Sequence, residues 1–222
     1  MTVGTRLKVL LLAIAIGLAA TSAQAALVTS LPGGTVIPMP AIGYFGPGPQ
    51  NFGPGITWSS TNSSNQNGSV FGYTGGYSFL TNGYWDSGIG PMAGLNDSYF
   101  FYGVTDTMTF AFSTPIAGVG GFINYVPDGS TPTVISAYDS NNILIENATL
   151  SFSTGGGVNT GSFYGFLEGS PNISYFTLTD NYIGITDLTT SDPSAVPEPA
   201  TMLLLGSGLL GMGVYARRKF KK

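Results

Sequence analysis

Along residues 107–112 the side chains alternate between larger apolar and smaller positions. Met108, Phe110 and Phe112 stand against Thr107, Thr109 and Ala111. Period two is the pattern of a strand with one face buried, and Pro115 ends the run. The next stretch, IAGVGGFINYV (Ile116 to Val126), reads as a second strand, and Gly118, Gly120 and Gly121 predict a bulge in it. TVISAYD (Thr133 to Asp139) turns at Ser140-Asn141-Asn142 into ILIE (Ile143 to Glu146), a hairpin signal. GSFYGFLE, NISYFTLTD and YIGITDLTT add three strands at near-regular spacing.

Upstream the pattern is looser. LPGGTVIPMPAIGYFGPGPQNFGPGITW is too rich in Pro and Gly for a helix or a central strand. It predicts an irregular arm or edge strands over 26–58. SSTNSSNQNGS (Ser59 to Ser69) reads as a polar loop, and Phe71 to Trp85 as short strands with tight turns. No amphipathic helix pattern occurs in this body. The expected fold class is all-β, a single jelly-roll-like β-sandwich over residues 26–194.

The two ends follow different rules. Arg6 and Lys8 precede an apolar run, Val9 to Ala20, and then Ala23-Gln24-Ala25. That order predicts a signal peptide over 1–25, cut after Ala25. At the other end no charge falls between Glu198 and Arg217. As a helix, about 200–216, this stretch nears the roughly 30 Å of a hydrocarbon core. Arg217, Arg218 and Lys219 would hold the tail on the cytoplasmic side as membrane-stop cations. Pro197 and Pro199 keep Glu198 extended just outside the membrane.

The ordered set Pro197-Glu198-Pro199, apolar span and basic terminus over 195–222 resembles the PEP-CTERM sorting signal of Gram-negative bacteria. The resemblance implies export through the Sec translocon and signal peptidase, and transient anchoring in the inner membrane by the C-terminal helix. It further implies recognition of the tripeptide by an exosortase, then delivery to the cell surface or beyond. The family is associated with extracellular polymer and biofilm-type matrices. Residues 106–190 also look like the recurring passenger domain of such proteins, which resembles carbohydrate-binding jelly rolls in outline.

Charge sharpens the picture. All seven cations lie in the two ends, so between Ala26 and Val196 there is no Lys or Arg. Every acid except Glu198 lies in that body, which carries about −10 by formal counting. Nucleic acid is therefore excluded as its partner, since nothing could neutralise phosphates. The chain has no Cys and no His, which removes thiolate chemistry, imidazole bases and the commonest metal ligands. Catalysis is not expected. A glycoside hydrolase would have to pair carboxylates drawn from Asp86, Asp97, Asp106, Asp180 and Asp187. Calcium is the one cofactor suited to the acid-rich body, as a structural ion, although no DxDxDG loop is present. A non-catalytic surface or matrix protein is the leading reading, and a carbohydrate-binding module is the alternative. A third is a calcium-stabilised hydrolase. For glycan stacking the expected residues are Tyr84 and Trp85, because flanking glycines suggest an exposed loop.

Overall fold

The computed structural model describes residues 26–63, 68–96, 105–127 and 131–192. The signal peptide with Ala23 and Ala25, the tripeptide 197–199, the span at 200–216 and the cations at 217–219 lie outside the described residues. Among the described residues there is no α-helix, only a 3-10 turn at Leu80–Asn82. The strands are β1 (Ala26–Val28), β2 (Thr35–Val36), β3 (Tyr44–Phe45), β4 (Gln50–Asn51), β5 (Ile56–Ser60) and β6 (Ser69–Tyr73). Then come β7 (Tyr77–Ser78), β8 (Tyr84–Trp85), β9 (Met92–Asn96), β10 (Asp106–Ile116) and β11 (Gly118–Tyr125). Last are β12 (Val134–Tyr138), β13 (Leu144–Thr149), β14 (Ser162–Leu167), β15 (Ile173–Asp180) and β16 (Tyr182–Ser191).

Two large antiparallel sheets result. One runs β1-β14-β11-β16-β9-β6-β3, with β2 also paired to β16; the other runs β13-β12-β15-β10-β5-β4. Each connection from β9 to β12, and again from β13 to β16, carries the chain from one sheet to the other. Both sheets contribute to one apolar core. Trp58 of β5 stacks on Phe71 of β6 at 5.2 Å, and Phe166 of β14 meets Phe176 of β15 edge-on at 6.2 Å. Burying such rings is the main favourable term, and their offset and edge geometries add to it.

The alternation over 107–112 gives the observed burial: Met108, Phe110 and Phe112 enter the core between β15 and β5. The arm at 26–58 is more structured than an irregular segment. Its short strands pair with both sheets, and Phe52, Ile56 and Trp58 are core residues. The bulge predicted in Ile116–Val126 occurs there, but its extra residue belongs to the partner strand. Gly120 pairs with Thr189 and Phe122 with Thr186, so Asp187 and Leu188 together oppose Gly121. Asp187 takes φ +50°, a left-handed conformation that Asp tolerates better than most residues. At Gly121 a Cβ would press on Ile185 and on the Thr186 carbonyl, which accounts for the glycine.

The β12–β13 hairpin is the one read from the sequence. Asp139 Oδ1 accepts hydrogen bonds from the backbone N–H of Asn141 and of Ile143, both at 2.8 Å. Asn142 supplies φ +60° at the turn. These bonds hold the exposed Asp139 carboxyl below its usual range, the Ile143 N–H contributing most.

A second, smaller core lies outside the main one. The β7–β8 hairpin folds over the sheet and packs Tyr77, Phe79 and Trp85 on Val70 and Met92. Its floor is the cross-strand pair Gly94 and Gly184. A Cβ at Gly184 would stand 2.8 Å from the Trp85 ring and 3.1 Å from Phe79. Gly184 thus admits the edges of both rings, and Gly94 the Tyr77 hydroxyl, so β9 is covered on both faces and shows no alternation.

Candidate functional site

The structure separates the two residues expected to stack on glycans. Tyr84 is 43% exposed, but Trp85 is 1% exposed and sits edge-on to Phe79 at 4.8 Å. Period two drives this split: adjacent residues of a strand face opposite ways, and the glycine floor draws the larger ring inward. Trp85 therefore presents no face to solvent, and the pair forms no platform. Trp58 and Tyr77 are core residues as well.

An aromatic surface occurs elsewhere. An open groove of about 600 Å³ lies on the outer face of the larger sheet, under the segment that joins β1 to β2. Phe122 of β11 and Phe163 of β14 are cross-strand partners, and their half-buried rings meet edge-to-face at 5.7 Å and 87°. Thr29, Ser30, Ser162 and Thr189 also line the groove. Thr189 Oγ1 donates to the Asp187 carbonyl at 2.8 Å, so its hydroxyl is oriented by the bulge. The volume suits a small ligand of one or two sugar rings. Ring faces with neutral hydroxyls fit an uncharged, hydroxyl-rich ligand, and the surrounding negative charge disfavours an anionic one. Reading Phe122 and Phe163 only as strand residues hides this; Gly120 leaves the room, since a Cβ there would stand 2.9 Å from the Phe163 ring.

Two of the five candidate carboxylates come opposite each other on neighbouring strands. Asp106 and Asp180 are register partners on β10 and β15, and both are buried. Asp106 accepts from Thr61 Oγ1 at 3.0 Å and from Asn62 Nδ2 at 2.7 Å. Asp180 accepts from the Thr133 hydroxyl and from the backbone N–H of Asn181 and Tyr182. Burial raises the Asp180 carboxyl above its ordinary range, and those three bonds only partly offset the effect. Each oxygen of this pair is tied to the protein's own loops. Asp86 binds the Gly88 N–H at a turn, Asp187 lies in the bulge, and Asp97 falls outside the described residues. Among the described residues no three acidic side chains gather as a metal site would require, so no ligand set for calcium emerges.

A further polar constellation was invisible in the sequence. Asn82, fully buried in the 3-10 turn, donates from Nδ2 to the carbonyls of Tyr125 (3.2 Å) and Phe152 (3.3 Å). Its Oδ1 accepts from the Thr154 N–H at 3.2 Å. Its backbone carbonyl accepts from Asn124 Nδ2, Thr154 Oγ1 and Asn159 Nδ2. The network pins the β7–β8 hairpin to β11 and to the β13–β14 loop, and it is structural in kind.

Comparison with known families finds the PEP-CTERM protein-sorting motif at residues 195–219. No curated protein and no solved structure matches the chain. Among the described residues no helix is long and apolar enough to cross a membrane; the span expected at 200–216 is not among them.

Proposed function

Taking the PEP-CTERM motif at 195–219 as premise, we propose that this chain is exported and held briefly in the inner membrane. An exosortase then releases it to the cell surface or extracellular matrix. The motif is the observation that carries the reading. The body is then cargo: a jelly-roll-like sandwich with no catalysis of its own. Its lack of His, Cys and Lys supports that view, as does the engagement of Asp106 and Asp180 in internal bonds. The test is the mature C-terminus, read by mass spectrometry on the surface fraction. Processing predicts loss of the basic tail and its retention in Glu198→Ala, which should stay in the inner membrane. An intact Lys222 in the released protein refutes the scheme.

The groove at Phe122 and Phe163 favours a second, compatible reading, a module that binds neutral polysaccharide of the matrix. Affinity electrophoresis through gels containing neutral or acidic polysaccharide separates the outcomes. Retardation by a neutral polymer, abolished in Phe163→Ala, supports binding. Equal mobility of wild type and variant in every gel removes it.

A further inference from the structure

Glu168 is anomalous. It is only 6% exposed, and its Oε1 is buried without a hydrogen-bond partner. A buried carboxylate with an unmet oxygen is costly unless a cation or donor reaches it. Between Ala26 and Val196 no side chain can supply that charge, because the body has no Lys or Arg.

Its surroundings narrow the choice. Glu168 follows β14 directly and, by strand alternation, shares the inward face of Phe166. Opposite it, on β13, Glu146 pairs with Ala137, a core residue, and so also leans inward at the sheet edge. Burial, and then the charge of Glu146, push the Glu168 carboxyl above its usual range. Two carboxylates near enough to feel each other's charge thus lie at the open edge between the sheets, and Glu146 Oε1 accepts only from its neighbour's N–H, Asn147, at 3.3 Å. Strand β1 closes this edge, and its register sets Ala26 against Leu167. Paired Cα atoms on antiparallel strands lie about 5 Å apart. The nitrogen of Ala26 therefore sits on the Glu168 side of that pair.

We propose that Glu168 is the docking site for the new N-terminus: the α-ammonium of Ala26, once freed, binds Glu168, with Glu146 as second carboxylate. The inference rests on cleavage after Ala25. There water adds across the Ala25–Ala26 amide; Ala25 leaves with the leader as a carboxylate, and Ala26 keeps the nitrogen as an ammonium. Maturation would then deliver to this edge the one cation the body lacks, and fasten β1 when the leader departs. The leader-bearing chain has only a neutral amide there, so the same carboxylates repel each other.

The test uses the exported, processed protein, its first residue identified by mass spectrometry. Wild type and Glu168→Gln are melted with amines free, dimethylated (charge kept) or acetylated (charge removed). Acetylation should lower the wild-type Tm by about 5 °C, dimethylation should not, and Glu168→Gln should respond to neither. Any contribution of tail lysines, if retained, cancels between the two proteins. Should the variant fail to fold, the contrast between acetylation and dimethylation in wild type, repeated in Glu146→Gln, still decides. A start other than Ala26 overturns the cleavage reading and the proposal with it. A start at Ala26 with equal melting of the acetylated and dimethylated forms overturns the pairing alone.

Discussion

Replacing Asn82 by Ala probes the polar network that fastens the outer hairpin. The change removes two donations, to the Tyr125 and Phe152 carbonyls, and one acceptance, from the Thr154 N–H. The backbone carbonyl of residue 82 keeps its own partners, Asn124, Thr154 and Asn159, so only side-chain bonds are lost. The site is buried, and water does not readily replace them. The Phe152 carbonyl keeps the Tyr125 hydroxyl as a donor, so the cost is counted per hydrogen bond lost: at about 1 kcal/mol each, three bonds give about 3 kcal/mol. For a domain of this size that corresponds to a fall in Tm of roughly 9 °C. Calorimetry of the exported protein measures it. Asn82→Asp adds a signed control. An acid held against two carbonyls has its folded pKa raised above the unfolded value near 4. Stability is therefore lost as pH rises through that window, and the variant should recover toward wild type in acid. A Tm for Asn82→Ala within 2 °C of wild type, or no acid recovery in Asn82→Asp, would mean the hairpin is not held by these bonds.

Asp180 has a raised folded pKa from burial, so it opposes stability above that pKa and ceases to as pH falls below its unfolded value. The gain in Tm of Asp180→Asn over wild type should thus be larger at pH 7 than at pH 3.5; a pH-independent difference contradicts the assignment. Trp85→Ala should destabilise by about 4 kcal/mol through the cavity left over Gly184, whereas Phe163→Ala should change polysaccharide retention with little effect on melting. Chemical denaturation of both variants distinguishes core from surface, and a small loss in Trp85→Ala would return that ring to the surface. At Gly165 a Cβ would collide with the Val119 carbonyl across the strand pair, so Gly165→Ala should cost at least about 2 kcal/mol. A neutral effect on the urea midpoint would show that β11 and β14 can separate without loss.

Local pattern and charge order determined a good deal alone. Alternation at Met108, Phe110 and Phe112 marked β10, the Asn-rich turn after Asp139 marked the β12–β13 hairpin, and the all-β class follows from such segments. The delivery signal was equally legible, because a tripeptide, an apolar run and terminal cations act through their linear order, without a fold. Tertiary structure decided what depends on partners distant in the chain. Gly94 and Gly184 are far apart in sequence, yet together they make the floor on which the β7–β8 hairpin buries Trp85. Phe122 and Phe163 become a groove only when β11 and β14 pair, and Asn82 becomes a hub only when Tyr125 and Phe152 bring it carbonyls. β9 went unread for a related reason: with both faces covered, Met92–Asn96 has no polar side to alternate with. Periodicity records whether one face of a strand meets water. Which strand lies alongside, and whether a hairpin closes over the other face, is set by packing between distant segments.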